Sequence, residues 1–292
     1  MLPMYLANLW FGRRAITLAT QLQQAEQLGF EGVGLLSGGG SDGTDDGLIE
    51  AETRSGAVGV VCADQLVPAQ APSLEHFQWR EEGVDLLLRR LKKLRCAHLL
   101  VPAGLDARPG VQELGEELLV RVRGGERVDP ESSEAIFFQQ LPALGWEQQL
   151  AHLAGFLFQL RRQAPALKIA LLPEASPAGL LTPDRFALLQ EEISALKIGY
   201  WHDTGALETR AMATGEAPGQ WLDSFSNIMS GSTLHDFSGG MAWLPPGLGQ
   251  VDWQLLREYL PRTAVQVLAA APSYPGEVLA ECRSAVEARL QP

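Results

Sequence analysis

A single-domain (β/α)8 TIM barrel is the fold the sequence predicts, and three observations predict it. Eight strand-like runs alternate with helical patterns along the chain, which implies parallel strands joined by right-handed crossovers. The length of 292 residues suits eight such units, which typically take about 250 residues with insertions allowed. No linker or break in composition divides the chain, so residues 1–292 read as one domain.

Met4 to Trp10 is a short apolar run that fits a buried first strand. Ala15 to Leu28 carries apolar residues at Ile16, Leu18, Leu22, Ala25 and Leu28, a helical period closed by Gly29. Gly32 to Leu36 is the second strand, leaving through Ser37-Gly-Gly-Gly-Ser41. Backbone N–H groups of such a run can cradle a phosphate, but the Lys-Ser/Thr ending of a P-loop is missing, which favours a plain loop. Asp45 to Arg54 suits a short helix, and Ala57 to Ala63 a third strand. Ser73 is a candidate N-cap for a helix reaching about Leu94, with Glu75 and Glu81 early and Arg89, Arg90, Lys92 and Lys93 late. That charge order complements the helix dipole, so the basic cluster reads as a solvated helix end.

Ala97 to Val101 is the fourth strand. An enlarged segment, residues 102–167, separates it from the fifth; it holds a polar stretch, Arg121 to Glu134, and a strong helix from about Trp146 to Arg162. Lys168 to Leu172 is the fifth strand, ending at Pro173-Glu174. Pro183 behind Thr182 starts a helix to about Ala195. Lys197 to Trp201 is the sixth strand, ending at His202-Asp203-Thr204-Gly205. Trp221 to Met229 is helical in pattern, Ser232 to His235 is the seventh strand, and a Gly/Pro-rich loop leads to a helix over Asp252 to Leu260. Ala264 to Ala270 is the eighth strand and Pro275 to Leu290 the last helix.

Composition narrows the function. Hydrophobic residues make up 46% and charged residues 20%, as in ordinary globular proteins with a sizeable core. A formal net charge of −12 opposes a nucleic-acid partner, which needs a basic face, and an anionic membrane surface. Three widely spaced cysteines, Cys62, Cys96 and Cys282, form no metal or redox motif and suit a reducing compartment. With no basic n-region at the start and no run of 18 apolar residues, a cytoplasmic protein is expected.

In such a barrel the active site lies at the C-terminal strand ends. That rule selects Glu174, His202-Asp203 and His235-Asp236. A divalent ion can use these carboxylates and an imidazole; alternatively, Glu174 with Asp203 or His235 forms an acid/base pair that moves a proton beside a carbonyl. Side chains alternate along a strand, so His202 and Asp203 cannot both face the axis, and Asp203 is expected inward. Each polar strand end also has a plain reading, as a loop-side hydrogen-bond partner or the N-cap of the next element. His76, His98 and His152 fall within helices or a strand and read as structural.

Ile169-Ala-Leu-Leu-Pro-Glu174, Asp203-Thr-Gly205, Leu234-His-Asp236 with Gly239, and Leu244-Pro-Pro-Gly247 with Gly249 and Val251-Asp-Trp253 together resemble the xylose isomerase-like barrels. That family includes sugar phosphate isomerases and epimerases, inosose dehydratases, ketose 3-epimerases and apurinic endonucleases. The likeness is best over Lys168 to Leu260, and Leu28-Gly-Phe-Glu-Gly-Val33 resembles the family's entry to the second strand. It implies a divalent metal (Mn, Mg, Zn or Co) on Glu, Asp, His and Glu. Glu174 and Asp203 match. Ala206 replaces the His after Asp-Thr-Gly, Thr233 stands at the ligand His, Met241-Ala242-Trp243 replaces Asp-x-His, and Ala270 stands where the eighth strand ends in Glu. Two carboxylates beside a hydroxyl and a methyl rarely hold a catalytic ion tightly, so no cofactor is expected. A metal on Glu174, Asp203 and His235 is the alternative if the register differs by two. Trp243, with Trp201, offers an apolar wall suited to stacking on a sugar ring, and His202 and Asp236 are further candidates for substrate contact.

Three functions are consistent with these residues. The first is a sugar or polyol (phosphate) isomerase or epimerase working by carboxylate/His proton transfer, with Glu174, Asp203 and His235 as its catalytic set. The second is an inactive barrel that binds a carbohydrate-like metabolite or serves as a partner subunit, and the third is a metal enzyme with rearranged ligands. Substrate identity and oligomeric state stay open.

Overall fold

A computed structural model of the chain describes residues 3–12, 16–36, 57–63, 83–140 and 146–290. Eight strands close into a barrel: β1 (Met4–Ala7), β2 (Gly32–Leu35), β3 (Val58–Cys62), β4 (His98–Pro102), β5 (Lys168–Leu172), β6 (Gly199–Asp203), β7 (Met229–Leu234) and β10 (Val265–Leu268). Neighbours pair in parallel all the way round, and β10 closes on β1 through Met4–Gln266, Tyr5–Val267 and Leu6–Leu268. Between β7 and β10 a short antiparallel hairpin, β8 (Asp236–Ser238) and β9 (Met241–Leu244), stands outside the barrel sheet.

Helices α1 (Leu18–Gln27), α2 (Val84–Lys93), α3 (Pro109–Arg123), α4 (Ser133–Gln139) and α5 (Trp146–Gln163) occupy the first half. The second half carries α6 (Pro183–Ile193), α7 (Thr204–Thr214), α8 (Pro218–Phe225), α9 (Trp253–Tyr259) and α10 (Gly276–Leu290). Several start where side chains satisfy their free N–H groups. Thr182 accepts from Arg185 N with Pro183 in the first turn, and Asp252 accepts from Gln254 N and Leu255 N. None of the described helices is long and apolar enough to cross a membrane. The Ser37–Ser41 loop, the Asp45–Arg54 helix, Ser73 and His76 lie outside the described residues.

Alternation along the strands divides the apolar residues into two layers. The outer layer, between strands and helices, takes Leu99, Val101, Ile169, Leu171 and Tyr200. The inner layer fills the barrel with Tyr5, Val60, Leu100, Ala170, Trp201 and Val267. Strand β6 shows how this orientation is fixed. Tyr200 stacks on Trp221 of α8 at 5.6 Å and 11°, among Phe186 and Phe225, so it faces the helices. Trp201 must then face inward. A Cβ on Gly231 of β7 would lie 2.2 Å from its ring, so only glycine admits the indole there.

Several boundaries differ from the sequence expectations. β1 stops at Ala7, and Asn8–Phe11 coils into a 3-10 turn. The polar stretch 121–134 straddles the end of α3 and the start of α4, both unforeseen; α3 buries Val111, Leu118, Leu119 and Val122 on one face. The helix expected over Trp221–Met229 is α8 at Pro218–Phe225, followed by a 3-10 turn. β7 starts at Met229, three residues earlier than Ser232, because its small Ser and Gly residues carry no apolar signal. Helix α7 begins directly at the end of β6 without an intervening loop.

Candidate active site at the barrel mouth

Asp203, Thr204 and Gly205 form the junction between β6 and α7, and each grips the end of β7 differently. Asp203 Oδ1 caps α7 by accepting Ala206 N at 3.0 Å and also accepts from His235 Nε2 at 2.7 Å. The Thr204 hydroxyl donates to the His235 carbonyl at 2.5 Å and accepts the His235 N–H at 3.0 Å. Gly205 makes room for the imidazole, since a Cβ there would lie 2.2 Å from the ring. The far face of the ring is covered by Trp243, with centroids 4.2 Å apart and planes 22° apart. Asp203 and His235 thus meet as an inward-facing, buried pair.

Trp243 takes φ of 60°, a left-handed conformation that bulky residues rarely adopt and that carries roughly 1–3 kcal/mol of strain. Its carbonyl accepts the Ala271 N–H at 2.9 Å, tying β9 to the chain after β10. The expected Gly/Pro-rich loop is therefore partly a hairpin, turned at Gly239-Gly240.

Asp236 is buried and serves as the anchor of the loop after it. Its carboxylate accepts Gly247 N at 2.7 Å, Val251 N at 2.9 Å, Trp253 Nε1 at 3.1 Å and its neighbour Phe237 N at 3.3 Å. Those bonds explain the spacing of Asp236 to Pro245-Pro246-Gly247 and Val251-Asp252-Trp253, and they commit a carboxylate expected to meet substrate.

His202 also lies away from the mouth. It turns to the helix layer, where Tyr200 Oη bonds Nδ1 at 2.8 Å, and burial pushes its pKa down to about 4 against the opposing pull of Asp203. Trp201 Nε1 donates to Thr233 Oγ1 at 2.8 Å, so the indole props the barrel interior and occupies the Thr233 hydroxyl.

Glu174, one residue past Pro173 at the end of β5, is less tied. Its Oε1 accepts the Gly104 N–H at 3.2 Å. The residue keeps some contact with solvent, yet the surrounding protein raises its carboxyl above the ordinary range. Desolvation is the main cause; the Gly104 bond and the Arg210 charge oppose it, and the Asp203 charge adds to it. Arg210 of α7 is a residue the sequence reading missed, along with α7 itself. Its guanidinium is buried, donates to the Leu181 carbonyl at 2.9 Å and lies 3.3 Å from Glu216 Oε1. Gly179 lets it approach: a Cβ there would be 2.8 Å from Arg210 Nη1 and 3.0 Å from Glu174 Cβ. Glu208, also on α7, is pushed up to about 7 by burial and by the charges of Asp236 and Asp252. The N-cap Asp203 and the closing Gly215 were the signals that a helix lay between them.

Among the described residues the donor set does not fit a divalent ion. Among the described residues no three His, Cys, Asp or Glu side chains are grouped to hold one. Asp203 Oδ1 already has two donors, Thr233 is bonded to Trp201, and Ala270 packs in the outer layer while Ala269 faces the interior. His235 would have to release Asp203 before its Nε2 lone pair could reach a metal.

A closed parallel barrel with its polar strand ends gathered at one mouth is a TIM barrel, and in fold it is similar to the xylose isomerase-like barrels among solved structures. No family model and no curated protein sequence matches the chain. Solved structures do. The probable 3-DHS dehydratase AsbF from Bacillus anthracis superposes with a TM-score of 0.65 at 12% identity, covering 98% of this chain and 99% of that one. The apo form of the 3-keto-D-glucoside 4-epimerase YcjR from E. coli gives 0.62 at 12%, covering 99% and 100%. A xylose isomerase-like TIM barrel protein from Mycobacterium smegmatis in complex with magnesium gives 0.58 at 16%, covering 99% and 97%. At such identities the likeness establishes the fold, and function has to be argued from the site.

Proposed function

We propose that this barrel acts on a small carbohydrate-like hydroxy-carbonyl compound as an isomerase or epimerase, with Glu174 transferring the proton and no divalent ion taking part. The observation that carries this reading is Glu174 itself. It follows the end of β5, accepts one backbone N–H among the described partners, and has a carboxyl raised by burial. A carboxyl brought nearer to neutrality can both take and return a proton beside a carbonyl. The Asp203–His235 pair supplies the second polar group, held in place to orient or polarise a substrate oxygen. Neighbours that include a 3-keto-D-glucoside 4-epimerase and a D-psicose 3-epimerase support this substrate class. Glu174→Gln is expected to lower turnover by a factor of about 10² to 10⁴ while the protein stays folded; unchanged turnover sinks the proposal.

A second reading is a barrel that binds such a compound, or serves a partner protein, without chemistry. It is favoured by how many mouth groups are committed to one another: His235 Nε2 to Asp203, Thr233 to Trp201, and Asp236 to its loop. Thermal shift against a sugar and polyol panel separates the two, since ligand binding raises stability by mass action. Stabilisation by a compound that is never converted selects the second reading. The rearranged metal enzyme is the weakest of the three on the donor set above, and elemental analysis at or near one equivalent of Mn, Mg, Zn or Co would restore it. The unbridged Cys62, Cys96 and Cys282 fit a reducing, cytoplasmic setting.

A further inference from the structure

We propose that Trp243 is the platform on which the ligand's ring is recognised, and that the site prefers cyclic polyols or pyranose-form sugars to open-chain ones. This deepens the proposed function and rests on its placement of a carbohydrate-like ligand at the mouth. The geometry around the indole carries the inference. One face lies on His235 at 4.2 Å, and His235 cannot retreat, because Gly205 backs it and Asp203 holds Nε2. The backbone is fixed on both sides of the ring: the Trp243 carbonyl accepts Ala271 N, and Leu244 pairs with Asp236, the residue that anchors the next loop. The indole is therefore held in one orientation, and in a left-handed backbone that a tryptophan rarely adopts. Strain of this kind persists where the surroundings over-determine a position, and it clusters at ligand sites.

Trp243 is only partly buried, as are Leu9 after β1 and Leu172 at the end of β5, and all three pack on the inner layer of the barrel. A flat, partly exposed indole complements the face of a six-membered ring whose axial hydrogens point one way. Glu174, near enough to Asp203 for that charge to act on it, is the group expected to meet the ring's hydroxyls. An open chain offers no such rigid face and loses rotational freedom on binding.

The test is affinity measured by saturation-transfer NMR and thermal shift for three probes: myo-inositol, methyl α-D-glucopyranoside and D-sorbitol. Wild-type protein is expected to bind at least one cyclic probe about tenfold more tightly than sorbitol. Trp243→Ala should remove about that tenfold from the cyclic probe alone, and Trp243→Phe should retain most of it. Which of the two rings wins distinguishes a cyclitol site from a pyranose site. Failure of both rings to bind, equal affinity for sorbitol, or an unchanged preference in Trp243→Ala overturns the proposal. Should Trp243→Ala fail to fold, Trp243→Gly, which relieves the left-handed backbone, gives the same comparison. Loss of turnover in Glu174→Gln, together with a ring preference that Trp243→Ala leaves unaltered, would keep the catalytic reading intact and reject this one.

Discussion

The wall of the mouth built by β6 and β7 and the corner built by β5 carry the same kinds of residue and use them oppositely. Along β6–β7, Asp203, Thr204, Thr233, His235 and Asp236 are bonded to one another, to Trp201 or to nearby backbone. At the β5 corner, Glu174 accepts one backbone N–H from Gly104. Buried polar groups that satisfy each other define a scaffold, and a polar group left with spare hydrogen-bonding capacity is the one available to a ligand. The difference teaches that polarity at a strand end does not by itself mark chemistry.

The contrast can be broken first at Asp236. Asp236→Ala removes the acceptor of three backbone N–H groups and one indole, and is expected to destabilise the protein by about 3–5 kcal/mol; urea unfolding measures it. A loss below about 1 kcal/mol would mean that the loop does not depend on this anchor.

His202 gives the next largest effect, through pH. Its folded pKa of about 4 lies below the unfolded value of 6.5, so below pH 6.5 the unfolded chain takes up a proton that the folded one refuses. The associated stability is fully present above about pH 6.5 and is lost as pH falls toward about 4. At 1.36 kcal/mol per pH unit the gap corresponds to about 3 kcal/mol. A His202→Gln variant should show a flatter stability profile over that window, and an identical slope would remove the buried neutral imidazole as its source.

Gly205→Ala comes third, at about 1–3 kcal/mol, the usual range for overpacking, because the new methyl meets the His235 ring. Chemical shifts of the His235 ring should move with it; if they do not, the ring does not sit on Gly205. The smallest effect is at Glu174. A carboxyl whose folded pKa is raised opposes folding as pH rises through the carboxylate range, so Glu174→Gln should be as stable as wild type at pH 7 or slightly more stable, within about 1 kcal/mol. Marked destabilisation would move Glu174 to the scaffold side of the comparison.

The barrel was legible because its strands are apolar runs of the right length between amphipathic helices, as at Lys168–Leu172 before Pro173-Glu174. The arrangement of the candidate site was legible in part. Asp203 was expected inward and lies there, since Tyr200 commits the other face of β6 to the aromatic layer. Asp236 and His202 looked like substrate contacts because a sequence gives position along a strand without saying which neighbours will claim a side chain. The loop carrying Gly247 and Val251 claims the first, and Tyr200 claims the second. Arg210 and Glu208 were missed because α7 starts at Thr204, directly after its cap Asp203 and inside a stretch read as a motif. The positive φ of Trp243 leaves no trace in composition or periodicity.

The most direct test of Glu174 as the working group is solvent-deuterium incorporation beside the carbonyl of a panel of aldoses, ketoses and keto-cyclitols, with and without EDTA, for wild type and Glu174→Gln. The expected result is incorporation by wild type that EDTA leaves unchanged and that Glu174→Gln abolishes. Equal incorporation by Glu174→Gln, its disappearance on chelation, or none by wild type on any compound would contradict a metal-independent Glu174 at this mouth.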